Sequence, residues 1–232
     1  MTSQLADFVK AYDVRGLAPE QLDASVAHAL GAAFAEVVAE ADGAPAVVIG
    51  HDMRPSSPEL VDALARGITA RGVDAVLIGL ASTDELYYAS GALDLPGAMF
   101  TASHNPATYN GIKFCRSGAR PVGQDTGLAE VRDLAQRHVD DGVTTFAGVT
   151  PGAVSHRDVL ADYAGFLRGL VDLSGTRPLR VSVDAGNGMG GVTVPAVLGT
   201  EAGLPELPLT LDPLYFELDG TFPNHEANPL DP

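Results

Sequence analysis

Short apolar runs alternate with longer stretches of helical period along this chain, and no other feature limits its fold so strongly. Residues 46–50 (Ala-Val-Val-Ile-Gly) and 75–79 (Ala-Val-Leu-Ile-Gly) read as buried strands. Ahead of them Leu22, Val26, Leu30, Phe34 and Val37 recur at helical spacing, which predicts an amphipathic helix. Residues 57–71 predict a second helix, with Ser57 as its cap, Pro58 at the first helical position and Gly72 as its stop. A third helix over about 83–92 leads into the apolar run 98–102. Residues 111–115 form another apolar run, and 125–139 close the series as a helix. Alternation of this kind predicts an α/β fold, a layered, mixed but mainly parallel sheet with flanking helices.

Residues 142–151 are rich in glycine, threonine and valine without helical period, and they mark the predicted boundary between a domain over 1–145 and a second over 152–232. The second repeats the pattern on a smaller scale: helix 157–171, strand 179–183, helix 190–198 interrupted near Pro195, strand 207–211. From Asp219 the chain turns proline- and asparagine-rich, which predicts an α/β domain incomplete at its carboxyl end. An unfinished sheet leaves an unpaired edge and apolar surface, so self-association is expected through this domain.

At 232 residues and 46% hydrophobic content the chain has ample material for a core. Its net charge of −16 argues against nucleic acid and anionic membranes as partners. The same field opposes any anionic substrate, which must then be drawn in by a few placed cations such as Arg15, Lys113 and Arg54. One cysteine, Cys115, rules out an internal disulfide, reads as a small core residue on a strand, and suits a reducing compartment. There is no basic-then-apolar leader, and no apolar stretch near the ~20 residues that span a bilayer, so the expected location is the cytoplasm. His28, His138 and His156 read as ordinary surface positions.

The densest chemistry lies in Thr101-Ala-Ser-His-Asn-Pro-Ala-Thr-Tyr-Asn-Gly-Ile-Lys113-Phe. A strand over 98–102 would deliver the hydroxyl of Ser103 to a loop at the sheet's carboxyl edge, where open α/β folds place their ligands. Lys113, one of only two lysines, sits between Ile112 and Phe114, where desolvation would favour its neutral form and an anionic neighbour its charged one. Three competing patterns carry less. Gly186-Asn-Gly-Met-Gly-Gly191 satisfies G-x-G-x-x-G, with Asp212 near the place of a ribose-binding acid, but Asp184 and Pro195 make a plain strand-to-helix turn the better reading. Ser103 and His104 are consecutive, so they project oppositely and make a poor nucleophile–base pair. His225-Glu226 begins like H-E-x-x-H, yet Pro229 stands where the second histidine belongs.

The Thr101–Phe114 run resembles the signature of the α-D-phosphohexomutases, their phosphomannomutase/phosphoglucomutase branch above all. Ala11-Tyr-Asp-Val-Arg-Gly16 is similar to that family's amino-terminal active-site segment, Gly50-His-Asp-Met-Arg-Pro-Ser-Ser57 to its first strand-to-helix turn, and Phe222-Pro-Asn-His-Glu-Ala-Asn-Pro-Leu230 to a second-domain motif. The resemblance implies that 1–145 is the first of the family's four domains, carrying the phosphoserine loop, and 152–232 an incomplete second. By the same analogy Ser103 is the phosphoryl carrier between hexose phosphates and a hexose bisphosphate. Lys113 and His104 would assist proton transfer and charge neutralisation, Tyr12 and Arg15 would face sugar and phosphate, and Asn105 and Asn110 would shape the loop. The family's magnesium is held by the serine phosphate, here on Ser103, and by three aspartates of an Asp-Gly-Asp-x-Asp-Arg loop that does not occur in this sequence. Mg2+ is therefore implied for a full-length member rather than for this chain alone, whose expected turnover is weak or nil. A non-catalytic phosphate- or partner-binding module of the same fold is the alternative. His51, Asp52 and Arg54 are read as support for the loop.

Overall fold

The computed structural model describes residues 4–228, which form two compact units: 4–103 with 108–157, and 104–107 with 158–228. In the first, seven strands build one sheet: β1 Val14–Leu17, β2 Ala46–His51, β3 Asp74–Leu80, β4 Gly97–Phe100, β5 Tyr109–Arg116, β6 Arg120–Pro121 and β7 Val154–His156. Their order is β1-β5-β4-β2-β3-β7, with β6 also on β5. The pairings of β4, β2, β3 and β7 are parallel, while β5 is antiparallel to β1, β4 and β6. Only β5 therefore runs against the rest, which is the mixed, mainly parallel sheet that strand–helix alternation predicts.

The helices cover the sheet for reasons legible in their sequences. Leu30 and Phe34 of the first helix are fully buried, as is Leu22, which lies just ahead of it rather than on it, and Phe34 stacks on Phe114 of β5 with ring centroids 4.4 Å apart. Each such side chain contributes roughly 1.5–3 kcal/mol by leaving water. This first helix is longer than its amphipathic stripe suggests. It runs without a break over Ala24–Asp42, widening to π-type hydrogen bonding over Ala35–Ala39. Its 19 residues are long and apolar enough to cross a membrane, contrary to the sequence expectation that no stretch comes near that length. Packing explains the composition: alanines, valines and leucines on several of its faces lie buried in the unit's core.

Two glycines set how closely this helix approaches the next, Ser57–Ala70. A Cβ on Gly31 would lie 2.3 Å from the Leu64 carbonyl oxygen, and one on Gly67 2.0 Å from that of His28. The start of the second helix corrects the sequence reading. Ser56 takes the cap position and Ser57 is the first helical residue, and neither hydroxyl caps the helix. The Thr83–Leu93 helix opens on a true capping box, Ser82 with Glu85.

The boundary between the units also falls later than composition indicates. Ala153 N–H bonds Asp74, β7 extends the sheet beside β3, and a Cβ on Gly152 would meet the Val73 carbonyl at 2.3 Å, so the chain stays with the first unit to Arg157. In the second unit β8 Leu179–Asp184 and β9 Leu209–Leu214 pair in parallel. The Gly190–Leu198 helix, which passes through Pro195 unbroken, connects them. The Leu160–Leu170 helix completes the unit, whose Phe166, Leu170, Val171, Leu214 and Tyr215 are all exposed. From Asp219 the described residues form no helix or strand; Pro229 and Leu230 lie outside them.

His28 and His138 are not ordinary surface residues, whereas His156 is exposed. Both line one small cavity with Ser25 and Thr144, and His138 Nε2 is buried with no hydrogen-bond partner among the described residues. Burial lowers both from the ordinary 6.5, with Arg66 adding to the effect at His28, while Glu36 opposes it at His138.

Two predictions follow from this packing. Gly67→Ala should destabilise the first unit by about 1–3 kcal/mol through overpacking, whereas Gly165→Ala, with open space at its Cβ, should gain about 0.5–1 kcal/mol. Denaturant midpoints of the two variants test the contrast. Because the unfolded chain binds a proton at His28 and His138 more readily than the folded one, stability should fall as pH drops below the ordinary histidine value. A His28→Asn/His138→Gln variant should lose less stability than the parent between about pH 7.5 and about pH 5.5.

Candidate active site

The chain leaves β4 through Thr101 and Ala102, both buried, and reaches the exposed Ser103. Ser103 has a φ of 53°, a left-handed conformation that a residue with a side chain adopts only when its surroundings hold it there. Two bonds do so. Its N–H donates to Thr101 Oγ1 at 3.0 Å, and its carbonyl accepts from Arg54 Nη2 at 2.9 Å. Arg54 Nη1 donates to the Tyr109 carbonyl at 2.8 Å, so one guanidinium grips both ends of the loop.

Arg54 reaches that place from the turn after β2. Asp52 N–H donates to the Phe100 carbonyl, tying the turn to the last residue of β4. The Asp52 carboxylate accepts from Arg54 N (3.1 Å), Arg54 Nε (3.3 Å) and the Ser57 hydroxyl (3.2 Å). The Arg54 side chain is fully buried. Burial pushes its guanidinium below the usual range and Asp52 opposes the shift; beside that carboxylate it stays a cation. His51 Nδ1 donates to the Asp52 carbonyl at 2.7 Å. The role read for this triplet, loop support, is what these bonds perform.

Asn110 and Gly111 are equally architectural. Asn110 is fully buried; its amide nitrogen donates to the hydroxyls of Ser56 and Ser57 at 2.9 and 3.0 Å, and its oxygen accepts from Gly111 N–H at 2.8 Å. A Cβ on Gly111 would stand 2.3 Å from the Val14 carbonyl and 2.8 Å from that of Thr101, so only glycine fits between β1 and β4. His104 is exposed and Asn105 half-buried.

Sheet register assembles the cations. Arg15 faces Gly111 across β1 and β5, and Thr101 N–H donates to Gly111's carbonyl from the other side, placing Arg15 two strands from the start of the serine loop. Lys113 faces Met99. Since Val14, Ile112 and Phe114 point into the core, Arg15 and Lys113 emerge on the opposite face, and both bond the same oxygen. Asp13 Oδ2 accepts from Arg15 Nη2 at 2.7 Å and from Lys113 Nζ at 3.2 Å. Asp13, nearly buried, is an anionic neighbour of the kind the sequence left open for Lys113; it lay unremarked in the Ala11–Gly16 segment, where its period-two relation to Arg15 was the available signal. Tyr12 is 71% exposed, with its ring 6.0 Å from Lys113 Nζ.

The competing patterns resolve structurally. In the second unit the glycine run is a turn filled by the unit's own backbone. Asn187 is buried, with its N–H on the Tyr215 carbonyl and its amide on that of Glu217, and a Cβ on Gly191 would meet the Phe216 carbonyl at 2.0 Å. Asp184 binds Gly186 N–H and His225, which holds its carboxyl low, and the Glu226 carbonyl first and Asp184 second raise the imidazole. Cys115 is fully buried, and burial pushes its thiol up. The implied magnesium does not fit these residues by themselves: Asp13 and Asp52 are already bound to cations, and the described residues contain no group of three or more His, Cys, Asp or Glu able to hold a metal ion.

Asp13→Asn should lower stability by about 1–3 kcal/mol, because it converts two charge-assisted bonds to neutral ones beside partly exposed cations. An unchanged urea midpoint would show that the cluster does not support the fold.

This arrangement sits in a chain whose residues 7–139 match the family model described as phosphoglucomutase/phosphomannomutase, alpha/beta/alpha domain I. A Xanthomonas campestris protein described as phosphohexose mutases is 40% identical over 225 residues, 96% of this chain and 47% of its own length. A phosphomannomutase of Escherichia coli is 38% identical, covering 99% and 49%. The crystal structure of a phosphoglucomutase/phosphomannomutase family protein from Burkholderia thailandensis superposes with a TM-score of 0.79 at 36% identity, over 97% of this chain and 47% of that one. The chain thus spans about half the length of the curated relatives it matches. With sheet, helices and domain I sequence all in agreement, it belongs to the phosphoglucomutase/phosphomannomutase family.

Proposed function

We propose that this chain carries the phosphoryl-transfer half of a phosphohexomutase site, with Ser103 as the group that bears the phosphate. In this reading phosphoserine 103 passes its phosphoryl group to a hydroxyl of a hexose monophosphate, giving a hexose bisphosphate, and recovers the phosphoryl group at the other end of the sugar. Hexose 1-phosphate and hexose 6-phosphate are thereby interconverted. The observation that carries the reading is the held, left-handed Ser103 at the end of β4, exposed at a strand's carboxyl edge in a family of mutases.

The neighbouring side chains take roles that their chemistry permits. Phosphoryl transfer depends on positioning and on cations that offset charge on the equatorial oxygens. Arg15 and Lys113 supply those cations locally, in a molecule whose net charge of −16 would otherwise repel a sugar phosphate. Lys113, paired as a cation with Asp13, gives a proton to the departing Ser103 oxygen and regains one from the accepting hydroxyl, and His104 and Asn105 serve the loop's polar surface. Exposed Tyr12 is suited to a sugar face. Magnesium would need carboxylates from beyond the described residues, and no step here is routed through it. The same charge disfavours nucleic acid and anionic membrane surfaces as partners, and the reading places this metabolic role in the cytoplasm. The exposed apolar side chains of the second unit support self-association or cover by another polypeptide. The second reading, a non-catalytic phosphate- or partner-binding module, is favoured by the lack of a metal-holding cluster among the described residues.

Incubation of the purified chain with glucose 1,6-bisphosphate should add one phosphoryl group to the peptide containing Ser103, and Ser103→Ala should abolish it. Mutase turnover should trail that of a full-length relative by at least about 10²-fold, the typical loss for one missing electrostatic donor. An unmodified Ser103 peptide in mass spectra would remove the carrier assignment, and turnover equal to that of a relative would show that this chain is sufficient.

A further inference from the structure

We propose that Arg54 is the positioning residue of Ser103, fixing the direction in which the serine hydroxyl leaves the sheet without itself meeting substrate. This deepens the phosphoryl-carrier reading and rests on it.

A buried guanidinium makes strict demands on its surroundings. Its charge and five N–H groups must find acceptors, because an unmatched buried cation costs more than a domain can spare. Arg54 is 1% exposed, and its acceptors include the Asp52 carboxylate, the Ser103 carbonyl and the Tyr109 carbonyl. Two are backbone groups at the two ends of one loop. A planar fork that bonds both ends at 2.8 and 2.9 Å fixes their separation and the orientation of the Ser103 peptide plane.

The Ser103 conformation makes that control consequential. With φ at 53° its Cβ lies on the disfavoured side, and loss of either restraining bond would let the residue relax toward an ordinary negative φ. Such a change redirects the Cα–Cβ bond and moves the hydroxyl by more than a bond length. For in-line transfer a misplacement of about 1 Å costs about 10²-fold in rate. Asp52 aims the fork: bonded to Arg54 N and Nε and to Ser57, and tied through its own N–H to Phe100, it anchors the guanidinium to the end of β4. Lysine keeps the charge but offers a single point of donation, so it cannot span both carbonyls in one plane.

The test pairs a local structural readout with a chemical one in the 232-residue protein. By NMR hydrogen exchange the Ser103 amide of the unaltered protein should be protected like the amides of β4; exchange as fast as in an unrestrained loop would overturn the proposal at once. Arg54→Lys should raise exchange at Ser103 at least about tenfold, the equivalent of one lost charge-assisted bond, while the β2 and β3 amides stay unchanged. Asp52→Asn should act in the same direction and reads the effect if the lysine variant does not fold. With glucose 1,6-bisphosphate as donor, Arg54→Lys should slow phosphoryl incorporation into Ser103 by about 10²-fold and leave the half-saturating concentration within about threefold. Equal exchange and equal incorporation in variant and parent would refute the positioning role. If the parent itself takes up no phosphate, the carrier reading fails, and the exchange comparison alone decides whether Arg54 holds the loop.

Discussion

A buried arginine dictates the shape of the serine loop. Arg54 lies where water cannot solvate it, so its donors must be met by protein oxygens, among them those of an aspartate two residues earlier and the carbonyls of Ser103 and Tyr109. Satisfying them leaves the intervening chain little freedom at its two ends. The usual logic of a site, in which a scaffold presents loose functional side chains, is here turned inward. The strongest local electrostatic demand belongs to a residue that faces the protein, and the exposed serine inherits its geometry from that demand.

The outward-facing cations obey a different balance. Arg15 and Lys113 converge on one oxygen of Asp13, which keeps two positive groups close together without leaving either alone. Each is only about a quarter exposed, so neither is fully screened by solvent. An approaching phosphate would compete with Asp13 for the same donors. A chain with an excess of sixteen negative charges can still present a local positive face, because potential near a surface follows the nearest charges rather than the sum.

Much of what looks like chemistry in the sequence is architecture. Asn110 and Gly111 sit inside the densest motif, yet one spends its amide on Ser56, Ser57 and its neighbour's N–H, and the other is glycine because two carbonyls close in on it. The run Gly186–Gly191, which imitates a dinucleotide fingerprint, is a turn whose buried Asn187 and missing side chain at Gly191 serve close backbone packing within the second unit. Glycine-rich turns after strands arise wherever backbone must approach backbone, and a ligand phosphate is only one reason for that.

The sequence by itself determined the layered α/β class, most helices and strands, and the segments that converge on Ser103, because periodicity and turn chemistry are local properties of a chain. It did not disclose Asp13 as the shared partner of Arg15 and Lys113, since Lys113 lies a hundred positions from Asp13 and meets it through the β1-β5 pairing, and it read Arg54 as loop support without showing which carbonyls it binds. Nor did it foresee that the first helix runs 19 residues, that Ser56 rather than Ser57 takes the cap position of the second, or that His28 and His138 share a cavity. Burial and pairing are decided by what packs opposite a residue. That neighbour is chosen by strand order and helix approach, which only the tertiary structure fixes.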